Sequence, residues 1–287
     1  MKKWLTYGAP LLCAVAGVAA LRYWQRLSAF EDTGLVTPHA PATWCLVGLV
    51  VLSAVGFFLL GRLLLSPDGR RVQGGRAFSS YLASFALPHR ALMAVYLLSG
   101  GLLVAAGLLG IGAARMGLAD HLSYKVLSVA LVPTGLSLAL VGWVNAQRQE
   151  AQGRFAWPLL LPGWCGCVWV ISAYQSHTAQ PGLMAYALYL LGAVCAVGAC
   201  YMIASFSFER PRPLWTAWLC AMALILLATA AVDGYLLQDT QQLLVSLGYM
   251  VYLATQLKCL LYRAQVSADL EPWVPSEEVK TEVSEDE

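Results

Sequence analysis

Apolar residues come in long unbroken runs along this chain, and polar residues gather in the short gaps between them. Eight such runs stand out, at 4–24, 42–65, 89–112, 121–146, 156–176, 182–206, 213–236 and 241–262. A helix needs about 20 apolar residues to cross a hydrocarbon core of roughly 30 Å, and it satisfies its own backbone polar groups in lipid. Strands of a membrane barrel would alternate apolar and polar residues over about ten positions, and these runs do not alternate. The pattern predicts an all-α, polytopic integral membrane bundle of about eight transmembrane helices over residues 1–263. A separate tail follows at 264–287.

Composition sharpens this. Hydrophobic residues make up 59% of the 287 positions, charged residues 12%, and the mean hydropathy is +0.64. A soluble domain carries about 25% charged residues, so this chain has too few to cover a water-facing surface. The lipid bilayer is its expected surroundings, and nucleic acid is not an expected partner. The eight cysteines, at 13, 45, 165, 167, 195, 200, 220 and 259, all fall inside the apolar runs. They read as small packing residues rather than a disulfide framework, and Cys165-Gly166-Cys167 lacks nearby partners for a metal.

Charge then orients the spans. With eight crossings, fourteen of the 18 Lys and Arg fall on one side, leaving Arg22, Arg26, Arg115 and Lys125 on the other. The Lys- and Arg-rich side is cytoplasmic, which predicts a plasma-membrane protein with both termini inside. One competing expectation is a cleaved leader, because Lys2 and Lys3 precede an apolar stretch and Ala16-Gly17-Val18-Ala19-Ala20 imitates a processing site. The run continues through Leu21, Tyr23 and Trp24, whose aromatics suit a retained helix at an interface.

Residues 264–287 hold eight of the sixteen acids, giving a net charge of −7 against +9 for 1–263. With so little to bury, this stretch is expected to be a disordered cytoplasmic tail. The longest loop, near 66–88, begins with a basic turn and then places Phe78, Tyr81, Leu82 and Phe85 on one helical face. That spacing predicts a short helix lying at the inner leaflet, with Arg70, Arg71 and Arg76 near anionic head groups. In the first outer loop, Asp32-Thr33-Gly34 reads as a turn.

Candidate chemistry is sparse. Ionisable groups inside a membrane usually mark function, and this chain has almost none at mid-depth. Arg22 and Asp233 both sit at outer depth and could form a buried pair, a structural or solvated salt bridge being favoured over a proton relay. With Asp120, His121 and His177 they form a candidate outer-face polar cluster; clustering of Asp120, His121, His177 and Asp233 would suit a membrane enzyme acting on lipid. The spacing has no metal-motif character, and neither a metal nor a cofactor is expected. Phosphate-loop, zinc-helix and nucleophile-elbow motifs are missing from the sequence, so the chain leans away from an enzyme.

The eighth span carries a polar stripe: Gln242, Ser246, Tyr249, Tyr252 and Gln256 recur at helical spacing on one broad face. Amides and hydroxyls in hydrocarbon need partners, so this face turns inward. The fifth span adds Ser172, Tyr174 and Gln175, and the sixth adds Tyr186, Tyr189 and Tyr201. Pro133, at the centre of the fourth, removes a backbone donor and is expected to kink it. Two accounts remain open: interhelical bonding, or a cavity lined by Tyr189, Ser246, Tyr249, Tyr252 and Gln256. Small residues at close spacing, Ala9-Cys13-Gly17, Gly101-Ala105-Ala106-Gly110 and Gly192-Ala196, predict helix contacts. The leading functional expectation is non-catalytic binding or passage of a small, largely apolar solute. The alternatives are an accessory or sensory subunit acting through an unidentified protein partner, and the outer-face lipid enzyme.

Overall fold

A computed structural model of the chain describes residues 3–30, 37, 40–65, 81–85, 90–117, 122–147, 156–177, 183–208 and 210–268. Its helices are α1 (Lys3–Ser28), α2 (Pro41–Leu65), a short α3 (Tyr81–Phe85), α4 (Arg90–Arg115), α5 (Leu122–Gln147), α6 (Trp157–His177), α7 (Leu183–Ser205), α8 (Pro213–Leu236) and α9 (Thr240–Ala268), with a 3-10 turn at Phe206–Phe208. Eight of these helices are long and apolar enough to cross a membrane, so the protein is an all-α multi-pass bundle. Strands do not occur among the described residues.

Successive long helices run antiparallel, as their side-chain registers show. Tyr7 near the start of α1 packs on Phe57 near the end of α2 and donates to the Ala217 carbonyl near the start of α8. Gly110 near the end of α4 lies against Ser128 of α5 and Gln241 at the start of α9. The start of α1 and the end of α9 therefore lie toward one face of the bundle, here the terminal face, and the end of α1 and the start of α2 lie at the opposite face.

Helices α4 to α9 pack in sequence, and α9 closes back on α4. The α1–α2 hairpin packs outside this ring, chiefly on α8. Trp218 of α8 pins it by donating its indole N–H to the Ala54 carbonyl at 2.8 Å. Every residue of α8 from Cys220 to Ala230 is buried, because α1, α2, α7 and α9 surround it. A helix that is apolar all round belongs in such a position.

The closest helix pair is α4 with α5. A Cβ added to Gly100 would land on the Gly135 carbonyl oxygen, and one added to Gly135 would land on that of Gly100. Gly107 faces the Ser128 carbonyl oxygen and Gly142 faces Tyr96 in the same seam. This is close-approach packing by small residues, but its register differs from the expected Gly101-Ala105-Ala106-Gly110 face. Gly101 has nothing within 4 Å and is exposed; Gly110 alone of the expected glycines makes the contact. In α1, Ala9 and Cys13 are also exposed, while Gly17 touches Leu49. Gly192 and Ala196 of α7 are buried, with Gly192 against the backbone of Leu226.

A second correction concerns the loop between α2 and α4. Helix α3 forms within the expected stretch, but it does not rest on the surface. Tyr81, Leu82, Ser84 and Phe85 are all buried, because α3 tucks under the terminal face against α9 and the 3-10 turn. Phe85 meets Phe206 edge-on, with ring centroids 5.0 Å apart. Such an edge-to-face pair adds about 0.5–1.5 kcal/mol beyond the area it buries. Phe78, Arg70, Arg71 and Arg76 lie outside the described residues.

Candidate functional site

The polar stripe of α9 is the spine of the interior, and its partners change from one face to the other. At the opposite face, Gln241 donates to the Ser128 hydroxyl of α5 at 3.1 Å, and Gln242 donates to the Ala230 carbonyl of α8 at 3.0 Å. Asp239 caps this end of α9 by accepting from the Gln242 backbone N–H, a favoured N-terminal arrangement. One turn further on is Ser246, whose buried hydroxyl oxygen has no hydrogen-bond partner.

At mid-depth the stripe is aromatic and bonded. Tyr249 of α9 stacks on Trp169 of α6 with centroids 5.1 Å apart, and its hydroxyl donates to the Pro162 carbonyl at 2.7 Å. Trp169 donates its indole N–H to the Tyr189 hydroxyl of α7 at 2.6 Å. Tyr189 and Tyr249 thus hold three helices together, which is the interhelical-bonding account rather than the cavity account at these two positions. Tyr174 and Tyr201 face outward. Helix α5 runs unbroken through Pro133, which is exposed, while its neighbour Thr134 is buried and donates to the Ala130 carbonyl.

Toward the terminal face the stripe enters a polar cluster. Asn145 of α5 donates through Nδ2 to the hydroxyls of Tyr81 and Tyr96, each at 3.2 Å, and Gln256 of α9 donates through Nε2 to Tyr81 at 3.1 Å. Tyr252 of α9 packs on Tyr96 of α4, centroids 6.3 Å apart, and lies beside Gln256 one turn along. Gly142 places Tyr96 here, because a side chain at 142 would strike it. All five residues are buried. Burial pushes the Tyr81 hydroxyl up to about 12, against the pull of hydrogen bonds to Gln256 and Asn145. It therefore stays protonated at physiological pH.

This cluster is incompletely paired. Asn145 Oδ1, Tyr252 OH and Gln256 Oε1 are buried with no hydrogen-bond partner of acceptable geometry. A buried polar atom left unmatched costs about 1–3 kcal/mol, and native proteins usually satisfy such atoms with protein or with ordered water. Three of them around a shared set of phenols are the least compensated part of the described interior. The group contains amides and phenols and no Lys, Arg, Asp or Glu.

The outer-face expectation resolves differently. Arg22 and Asp233 form a buried ion pair with a closest distance of 2.7 Å. Arg22 also donates to Gln25 Oε1 at 2.6 Å, and Gln25 donates to Thr43 of α2 at 2.9 Å. Arg26 shares the same carboxylate at 2.7 Å and lies over the Phe30 ring at 4.5 Å. Asp233 is thereby committed to joining α1, α2 and α8. Asp120 and His121 lie outside the described residues, and the side chain of His177 is not described. Among the described residues, no three His, Cys, Asp or Glu side chains are grouped to hold a metal ion.

Sequence reasoning placed Gln256 and Tyr252 on an inward face but missed Asn145 and Tyr96, and it placed Tyr81 on a short helix lying at the inner leaflet. Asn145 carried a usable signal, since a lone amide in an apolar helix needs a partner within the bundle. Comparison with protein-family models, with curated proteins and with solved structures finds no match for this chain.

Proposed function

We propose that this multi-pass membrane protein binds or passes a small uncharged solute and does no chemistry on it. The observation that supports this reading is the α9 spine, whose buried oxygens at Ser246, Tyr252 and Gln256 lack partners of acceptable geometry. A charged solute would have to be stripped of water beside groups that offer no opposite charge, at a cost of several kcal/mol. An uncharged one with hydrogen-bonding groups meets matching partners. The sequence alone favoured a largely apolar solute; the unmatched oxygens favour one with O–H or N–H groups. In the same reading the terminal face is cytoplasmic and the membrane is the plasma membrane, on the strength of the Lys and Arg distribution.

The test is flux. The full chain is reconstituted into lipid vesicles, and shrinkage or swelling is followed by light scattering after rapid mixing with sucrose, glycerol or acetamide. Water, glycerol or acetamide is expected to cross faster than in protein-free vesicles, and Gln256→Leu is expected to slow it. Rates equal to those of empty vesicles for all three would sink the passage reading.

A further inference from the structure

We infer that Asn145, Tyr252 and Gln256, together with Tyr81 and Tyr96, form a binding site for a small uncharged molecule bearing O–H or N–H donors, roofed on the terminal side by α3. The inference deepens the solute reading above and rests on it for its setting, but it makes a separate claim: the cluster is occupied.

The chemistry of the occupant follows from what is already used. Asn145 Nδ2 is spent on Tyr81 and Tyr96, whereas Gln256 Nε2 uses one of its two N–H groups on Tyr81 and has the Tyr252 hydroxyl beside it for the other. The unmatched atoms are the two amide oxygens, which only accept, and the Tyr252 hydroxyl, which accepts or donates. An occupant that matches the two amide oxygens must therefore donate to them. A cation would also donate, but none of the five residues carries a negative charge, and an unpaired buried charge is far more costly than a neutral donor. Water and small alcohols or amides share the required chemistry. The position suits exchange with solution. Asn145 stands two residues before the end of α5 at Gln147, and Tyr81 belongs to a helix of five residues that packs on α9 and the 3-10 turn. Phe85 and Phe206 seal the same side.

The experiment uses the full chain in lipid nanodiscs and the variant Tyr252→Phe, which removes one hydroxyl and leaves the ring in place. In an empty site the lost hydroxyl had no partner, so the variant unfolds at the same temperature as the native chain or higher. In an occupied site a hydrogen bond is lost, so the midpoint falls; a fall is the expected result, and an unchanged or raised midpoint overturns the inference. Tyr252 and Gln256 are neighbours, so a density map fine enough to show ordered water provides the second measurement. It should show a non-protein peak within hydrogen-bond reach of Asn145 Oδ1 and Gln256 Oε1; a map in which those oxygens touch only protein overturns the inference even if the midpoint falls. Glycerol and acetamide then identify the source. If either widens the midpoint gap between native chain and variant, the occupant is a solute; if neither does, it is water. Vesicles that pass nothing while the peak is present would remove the passage reading and leave the site standing.

Discussion

Arg22 and Asp233, 211 positions apart in the chain, meet in a two-pronged ion pair in which Nε and Nη2 of the guanidinium reach the two carboxylate oxygens at 3.0 and 2.7 Å. Arg26 takes the same carboxylate, so one acid serves two cations. Breaking a buried pair by removing one partner costs about 3–5 kcal/mol, because the other charge is stranded. Asp233→Asn takes the carboxylate away from two guanidiniums, whereas Arg22→Met leaves Arg26 on the acid. Thermal unfolding in nanodiscs should therefore rank Asp233→Asn as the more damaging change. The double variant Arg22→Met with Asp233→Leu should recover part of the loss.

The α4–α5 seam gives a sharper contrast. Gly135→Val puts a branched Cβ into the Gly100 carbonyl oxygen and should lower folded yield severely. Gly101→Ala, one position along α4, meets open space and removes the entropic penalty of a helical glycine, about 0.5–1 kcal/mol. Its thermal midpoint should match or exceed that of the native chain.

Tyr189→Phe and Tyr249→Phe remove one hydroxyl each but leave different orphans. The first strands the Trp169 indole N–H, a buried donor, at about 1–3 kcal/mol. The second frees a second lone pair of the Pro162 carbonyl and removes a weak bond with the Cys165 thiol, and a typical net hydrogen bond is worth about 0.5–1.5 kcal/mol. Chemical or thermal unfolding of the two variants should show the larger loss for Tyr189→Phe.

Orientation is open to direct measurement. An epitope inserted after Gly117, the exposed turn beyond α4, should be reached by antibody on intact cells, and one fused to the C-terminus should not. The reverse labelling would invert the topology inferred from the Lys and Arg count.

Span number and position were legible in the sequence because lipid imposes one strict requirement, a helix of sufficient apolar length. The α9 stripe was legible for a related reason, since its period repeats on one face. The seam between α4 and α5 was not. Gly100 and Gly101 are adjacent in sequence and point 100° apart, and no period in an apolar, glycine-rich run says which of them meets a neighbour. The destination of Tyr81 was hidden for the opposite reason. A face of Phe, Tyr and Leu satisfies lipid and protein equally well, so only the presence of Asn145 and Gln256 beneath it decides. Asp233 stood out because a lone acid near the end of an apolar run needs a cation, and Arg22 was available at the same depth.

The shared carboxylate also sets a timetable. Helix α1 leaves the ribosome first, yet the acid that matches Arg22 and Arg26 belongs to α8. At roughly 5–20 residues per second, the 211 positions between Arg22 and Asp233 correspond to a wait on the order of 10–40 s. During that interval the two arginines lack the Asp233 carboxylate, and the first hairpin lacks the α8 contacts that pin it. Its docking is a late event in biosynthesis, and a chain truncated before α8 would leave that hairpin as a target for quality control.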